Sequence, residues 1–344
     1  MPRPIPHIVW KKDRLRLLDQ RLLPRRIVYV DCRTASEVAR AIKDMVLRGA
    51  PLIGCSAAFG MALAARRRSA RALEEAGRLL VKSRPTAVNL AHAVGAMRSA
   101  AETVEPARLP AVLARAAEGY YRWDLESNRR MAGLGARLLR KCSRVVTHCN
   151  AGALATSGIG TALGVVAEAF RQGRISHVYA DETRPYLQGS RLTLWELMQE
   201  GIPCTLITDS MAAHLMKISR FDAVIVGADR IAANGDVCNK IGTYGLAIVA
   251  RHHGVPFYAV APTTTIDPGT PDGSRIPIEE RSPAEVLEIS GIPIAPRGAR
   301  ARHFAFDVTP ARLVTAIVTE GGIVRPVCAS GIKRLLAARP CPKT

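Results

Sequence analysis

The chain has 344 residues, 48% of them hydrophobic and 23% charged, and carries a formal net charge of +20. This balance excludes a disordered polypeptide and supplies enough apolar side chain for a large core, at a length that suits two domains. Apolar runs are broken by Gly, Pro or charge well short of the roughly 20 residues a membrane span needs. The opening stretch MPRPIPHIVWKKDRLRLLDQ has no apolar signal-peptide core, so the expected location is the cytoplasm.

From the N-terminus to about Leu139 the sequence reads as mostly helical. Ala35–Leu47 sets Val38, Ile42, Met45 and Val46 at helical spacing behind Thr34 or Ser36 as caps. Ser69–Lys82 and Pro110–Trp123 follow the same pattern, with loops expected at Arg48–Pro51 and Ser83–Thr86. From about residue 140 the texture changes. Ser143–Thr147, Ser176–Ala180, Cys204–Thr208, Ala223–Gly227 and Pro256–Ala261 are short apolar runs that read as buried strands. Helices are expected between them at Gly158–Arg171, Thr193–Glu200, Ser210–Ile218 and Thr243–His253. Alternating strand and helix imply a parallel sheet with right-handed crossovers. The expected fold class is therefore α/β: a small, mostly helical N-terminal domain (1–139), then a C-terminal domain (140–344) with a mainly parallel sheet.

Ligands of such sheets bind at the carboxyl ends of the strands, and here those ends are crowded with chemistry. The first strand is followed by His148, Cys149 and Asn150. The second leads into Asp181, Glu182 and, further on, Gln188; the fourth into Asp229, Arg230, Asn239 and Lys240. Cys149, at a strand end before an expected helix N-terminus, sits where a thiol is exposed and its pKa falls. Asp229 follows an apolar strand, where partial desolvation raises a carboxyl toward acid–base range; pairing with Arg230 or Lys240 is the plainer reading. Arg48, Arg84 and Lys240, with backbone amides near Gly49 and Ala50, could bind an anion such as phosphate.

Other signals are weaker. Gly158, Gly160 and Gly164 imitate a nucleotide-binding loop with altered spacing, and glycines for close helix–sheet packing are the simpler explanation. The eight cysteines form no CxxC and the eight histidines no HExxH, so free thiols and no metal site are expected. The positive charge raises the possibility of nucleic-acid binding. However, the arginines are dispersed and aromatics are only 5%, so a nucleic-acid partner is not expected.

Several long strings, in order, together resemble the methylthioribose-1-phosphate isomerase family, the aldose–ketose isomerases of methionine salvage. They include RGAPLIG from Arg48, RPTAVNLA from Arg84, THCNAGALAT from Thr147, DETRPYLQGSRLTLWEL from Asp181, GADRIAANGDVCNKIGTY from Gly227 and IPIEER from Ile276. The wider family includes the regulatory subunits of translation initiation factor 2B and ribose-1,5-bisphosphate isomerase. The resemblance implies a helical N-terminal domain, a Rossmann-like C-terminal domain and a homodimer. It also implies Cys149 and Asp229 as the catalytic pair. Substrate contacts would come from Arg48, Gly49, Ala50, Arg84, Gln188, Asn239 and Lys240. The implied substrate is a small sugar phosphate, 5-methylthioribose 1-phosphate, handled with no cofactor or metal. The alternatives are a ribose-1,5-bisphosphate or 5-deoxyribose-1-phosphate isomerase, or a noncatalytic regulatory subunit. Cys238, His92 and His303-Phe304 depart from the family pattern.

Overall fold

The computed structural model describes residues 5–84 and 87–338; Pro85 and Thr86, at the end of the loop expected over Ser83–Thr86, lie outside them. The chain opens not with a helix but with an antiparallel sheet, β1 (Ile8–Lys11), β2 (Arg14–Leu18) and β3 (Tyr29–Cys32). Its cause is a period-two pattern. Leu15 and Leu17 point inward and are fully buried, while Arg14 and Arg16 point outward to Asp31 at 3.3 and 2.7 Å.

Five helices follow: α1 (Ala35–Lys43), α2 (Ala50–Ala65), α3 (Ala70–Ser83), α4 (Val88–Ser99) and α5 (Leu109–Ala136). A capping box starts α1, with Thr34 and Glu37 bonding each other's backbone N–H at 3.2 Å. The helix ends four residues before the expected Leu47. Met45 takes a left-handed backbone (φ +60°), and Val46 N–H returns to Ala41 O at 3.0 Å. This is a Schellman turn built on methionine rather than glycine, and it aims the next segment, Leu47–Gly49, across the molecule. All sixteen residues of α2 are buried, because its sequence APLIGCSAAFGMALAA has no polar face. It is wrapped by α1, α3, α4 and α5.

The second core is the parallel sheet. In chain order come β4 (Ser143–Thr147), α6 (Ala162–Arg171), β5 (Ile175–Asp181), α7 (Leu194–Gln199), β6 (Cys204–Ile207), α8 (Met211–Ile218) and β7 (Ala223–Val226). Next are β8 (Arg230–Ala232), β9 (Val237–Lys240), α9 (Thr243–His252), β10 (Phe257–Val260) and β11 (Ile266–Asp267). The chain closes with α10 (Ala284–Leu287), the pair β12 (Glu288–Ile289) and β13 (Ile292–Pro293), then β14 (Phe306–Thr309), β15 (Ala316–Thr319), β16 (Gly322–Val324) and α11 (Ala329–Ala337). Each expected strand is present to within one or two residues at its ends.

Seven strands form one sheet in the order β16-β15-β10-β7-β4-β5-β6, parallel except for β16. Taken by position in the sheet's own sequence, the first six strands run 3-2-1-4-5-6, the doubly wound Rossmann order, whose direction reverses between β4 and β7. A smaller sheet, β11-β8-β9-β14, stands beside it. The helix α5 links both cores: Leu113 and Ala117 pack among the N-terminal helices, while Met131 and Ala136 pack against the large sheet. No helix among the described residues is long and apolar enough to cross a membrane.

Candidate active site

A cleft opens where the sheet reverses direction. It contains about 1000 Å³ of empty space, its open mouth included. The ends of β4 and β7 bring Cys149 and Asp229 to its floor. The strand β9 carries Asn239 and Lys240 to one wall, and the segment after β5 supplies Gln188. The N-terminal helices close the other side with Arg48, Gly49 and Ala50 at the start of α2 and Arg84 at the end of α3. All nine residues singled out in the sequence thus line one cavity, although they come from segments up to about 190 positions apart. Met45, Ile53, Pro262, Ile276, Pro277 and Phe306 complete it with an apolar surface.

The loop at Cys149 differs from expectation. No helix begins directly after it: a single 3-10 turn (Ala153–Ala155) intervenes, and α6 starts only at Ala162. Cys149 is half-buried and holds a left-handed backbone (φ +65°), a conformation that costs a non-glycine residue on the order of 1 kcal/mol or more. Two threonines hold it there. Thr183 Oγ1 accepts the Cys149 N–H at 2.9 Å, and the Thr193 hydroxyl donates to Cys149 O at 2.5 Å. With no helix dipole to stabilise a thiolate, burial pushes the Cys149 thiol above its usual pKa, against the pull of Arg48 and Lys240. The lowered pKa expected from the sequence is therefore corrected.

Burial also raises the Asp229 carboxyl, with Lys240, Arg84 and Arg48 drawing it back. Arg230 faces Asp267 at 3.4 Å, so the neighbour expected to pair with Asp229 is engaged elsewhere. Of the three cations, Arg48 and Lys240 are buried and Arg84 is half-buried. Lys240 Nζ donates to Ala305 O at 2.7 Å and sits 4.5 Å above the Phe306 ring; burial lowers its pKa. Arg84 is likewise lowered by burial and lies 3.7 Å from Glu279 and 2.9 Å from the Met45 sulfur. Arg48 makes four contacts of 2.6–2.9 Å to the backbone and side-chain oxygens of Asn150. Gly49 is required by its backbone (φ +100°), and a Cβ there would come within 2.6 Å of Ala155. Gln188 is 2% exposed and its amide oxygen has no hydrogen-bond partner among the described residues; Asn239 donates to Thr243 at 3.0 Å.

Three groups around the cleft were not among the catalytic or substrate-contact residues expected from the sequence, although His148 and Asn150 were noted at the first strand's end. His148 Nε2 donates to Ile241 O at 2.8 Å, which leaves Nδ1 facing Asp181 at 2.9 Å. A carbonyl can only accept, so the pair must hold one shared proton. Burial pulls His148 down, but the hydrogen bond and charge of Asp181 hold it above its usual pKa. His148, Asp181 and Asp209 lie close enough to suggest a cation site. However, both ring nitrogens are bonded, and the Asp209 oxygens accept the N–H groups of Thr183 and Arg184, so the cluster serves to hold the loop. The remaining two groups, Asn150 and Glu196, lie beneath Cys149. The glycines at 158–164 serve close packing, since a Cβ on Gly160 would lie 2.5 Å from Gly152. Of the departures from the family pattern, Cys238 lines the cleft, His92 sits against Tyr120, and His303 lies 3.3 Å from Glu285.

Residues 46–326 match the Initiation factor 2 subunit family. Curated methylthioribose-1-phosphate isomerases from Chloroflexus aurantiacus and Thermus thermophilus are each 53% identical, over 96% and 93% of this chain and 98% and 94% of their own lengths. The chain belongs to the methylthioribose-1-phosphate isomerase family. Like its relatives it is an enzyme, an aldose–ketose isomerase. The crystal structure of 5-methylthioribose 1-phosphate isomerase from Pyrococcus horikoshii OT3 superposes with a TM-score of 0.90 at 41% identity, covering 98% of this chain and 97% of that one. A structure titled translation initiation factor eIF-2B, subunit delta, from A. fulgidus superposes at 0.85 with 42% identity, covering 97% and 100%. The isomerase family and the initiation-factor subunits thus share this scaffold.

Proposed function

We propose that the protein converts 5-methylthioribose 1-phosphate to 5-methylthioribulose 1-phosphate, with Asp229 and Cys149 as the catalytic pair. The observation that carries this reading is their meeting at the sheet's reversal point, in one cleft with the three cations Arg48, Arg84 and Lys240. The cations and the backbone N–H groups of Gly49 and Ala50 at the start of α2 suit a phosphate, and the Gln188 amide oxygen suits a sugar hydroxyl. Asn239 orders the same wall. The apolar surface from Ile53 to Phe306 suits a thioether.

The anomeric carbon bears phosphate, so the sugar cannot open spontaneously to an aldehyde. Asp229, whose carboxyl burial pushes above its usual range, donates its proton to the ring oxygen as the bond from carbon 1 breaks. Hydrogen then moves from carbon 2 to carbon 1, as a proton through an enediol or as a hydride, and the carbon 2 hydroxyl gives up its proton as the ketone forms, which restores the one Asp229 donated. A thiol held neutral suits Cys149 for polarising this transfer more than for acting as a resident base. The isomerisation is redox-neutral and calls on no cofactor. The same reading takes residues 1–139 and 140–344 as domains and the working form as a cytoplasmic homodimer, with no nucleic-acid partner.

Ribose 1,5-bisphosphate would bring a second phosphate into the cleft, and buried charge without partners is costly. Turnover of the two sugars by the purified protein without added metal is the test. Preference for the thioether sugar is the expected result. Preference for the bisphosphate overturns the substrate, and turnover of neither favours a regulatory subunit.

A further inference from the structure

Glu196 lies on α7, beneath the Cys149 loop and outside the cleft, with 6% of its surface exposed. Its Oε1 accepts from Asn150 Nδ2 at 2.7 Å. That contact decides how the Asn150 amide is turned. Arg48 has only donors, so the amide must present its oxygen to Arg48 and its NH₂ to something that accepts. Glu196 is that acceptor, with Thr193 Oγ1 a longer second at 3.2 Å. Thr193 in turn donates to Cys149 O. A continuous chain of hydrogen bonds therefore runs from Glu196 to both Arg48 and Cys149.

Charge points the same way. Among the described residues no carboxylate lies within ion-pair distance of Arg48, although the guanidinium is only 5% exposed. The other charged groups near Glu196 are already matched. Across a second cavity Arg171 pairs with Glu168, Arg129 with Glu126 at 3.5 Å, and the His7 ring is bonded to Thr156 O at 2.7 Å and held below its usual pKa by burial. Glu200, at the C-cap of the same helix, adds repulsion. Arg48 is thus the cation for which Glu196 can be the counter-charge, one amide away.

We propose that Glu196 is a positioning residue for the isomerisation: its carboxylate fixes the Asn150 amide and balances Arg48, and so holds Arg48 and the strained Cys149 backbone in register. The proposal rests on the reading that Arg48 and Cys149 meet the substrate. Burial pushes the Glu196 carboxyl up to about 7, against the Asn150 bond and the charge of Arg48, so its charge appears as pH rises through neutrality.

The test is kcat and KM from about pH 5.5 to 9 for the full-length protein and its Glu196→Gln, Glu196→Ala and Cys149→Ala variants, with thermal melts. Wild-type kcat/KM should rise about tenfold as pH increases through about 7. Glu196→Gln keeps an acceptor but no charge, so it should stay flat at the wild type's acid level. Glu196→Ala should lose a further factor of about ten, in kcat as well as KM. A Glu196→Gln profile that matches the wild type overturns the proposal, as does a folded Glu196→Ala with wild-type constants. If Glu196→Ala does not fold, the glutamine variant decides. Cys149→Ala separates the two levels. Inactivity there with Glu196 variants that match the wild type defeats this proposal alone, whereas full activity there defeats the reading of the site.

Discussion

The two sides of the cleft are built differently. The sheet side offers groups that can exchange protons, Cys149 and Asp229, each at the end of a rigid buried strand. The polar groups of the N-terminal side are permanent cations and backbone amides, at the end of α3 and the start of α2. Under the proposed function, chemistry belongs to the sheet and grip to the helices, with Lys240 as the cation that the sheet side contributes to the grip. The separation has physical sense. Strand ends inside a close-packed sheet hold reacting groups to a fraction of an ångström, whereas electrostatic attraction tolerates looser placement.

Breaking the sheet side should have the largest effect. Asp229→Asn should lower kcat by about 10²–10⁴-fold, the usual worth of a placed acid, while phosphate-ester affinity measured by calorimetry stays near that of the wild type. Cys149→Ala should fall in the lower part of that range. If either variant lost affinity but kept kcat, the division would be wrong. On the helix side, Arg84→Ala should raise KM by about 10–100-fold and leave kcat within a few-fold, the pattern of lost uniform binding. A fall in kcat with KM unchanged would instead move Arg84 to the chemical step. The smallest and most specific change is Gly49→Ala. Its left-handed backbone and the 2.6 Å approach to Ala155 should cost about 1–3 kcal/mol of stability, read as a lower melting temperature, together with weaker substrate binding. An unshifted melt would show that α2 can tilt away from the 3-10 turn without penalty.

Much of the sheet side was legible in the sequence because parallel strands buried on both faces must be short continuous apolar runs. Ala223–Val226 is one, and the polar residue that ends it is the one facing the cleft. The strand β9 was not legible, since its last two residues are Asn239 and Lys240, and a strand that carries polar cleft residues loses the pattern that announces it. The opening sheet was missed for another reason. Its alternation Arg14-Leu15-Arg16-Leu17 is a strand signal, but it sits in a charged stretch beside convincing helices. The end of α1 was misjudged because nothing in Asp44-Met45-Val46 advertises a left-handed turn, for which glycine is the usual marker. Arg48 and Arg84 could be read as anion binders, but only the family resemblance put them in the same site as Cys149 and Asp229, as neither stands at a strand end. Glu196 lies inside the family string that starts at Asp181, but nothing in that string marked it as part of the site. In sequence it is one acid in an amphipathic helix, and only the burial of α7 against the loop separates it from Glu200 four residues on.

Helix α2 has a consequence of a different kind. Most helices keep one side on which substitutions can accumulate unnoticed. Here all sixteen residues are enclosed, and interiors packed at crystal-like density register a change of even one methylene. Any alteration in α2 must be answered by a compensating one on a neighbouring helix, and its first residues stand at the cleft. Among descendants of this gene the segment should therefore change seldom, and then in pairs, which makes it a slow clock by which distant branches of the lineage could be ordered.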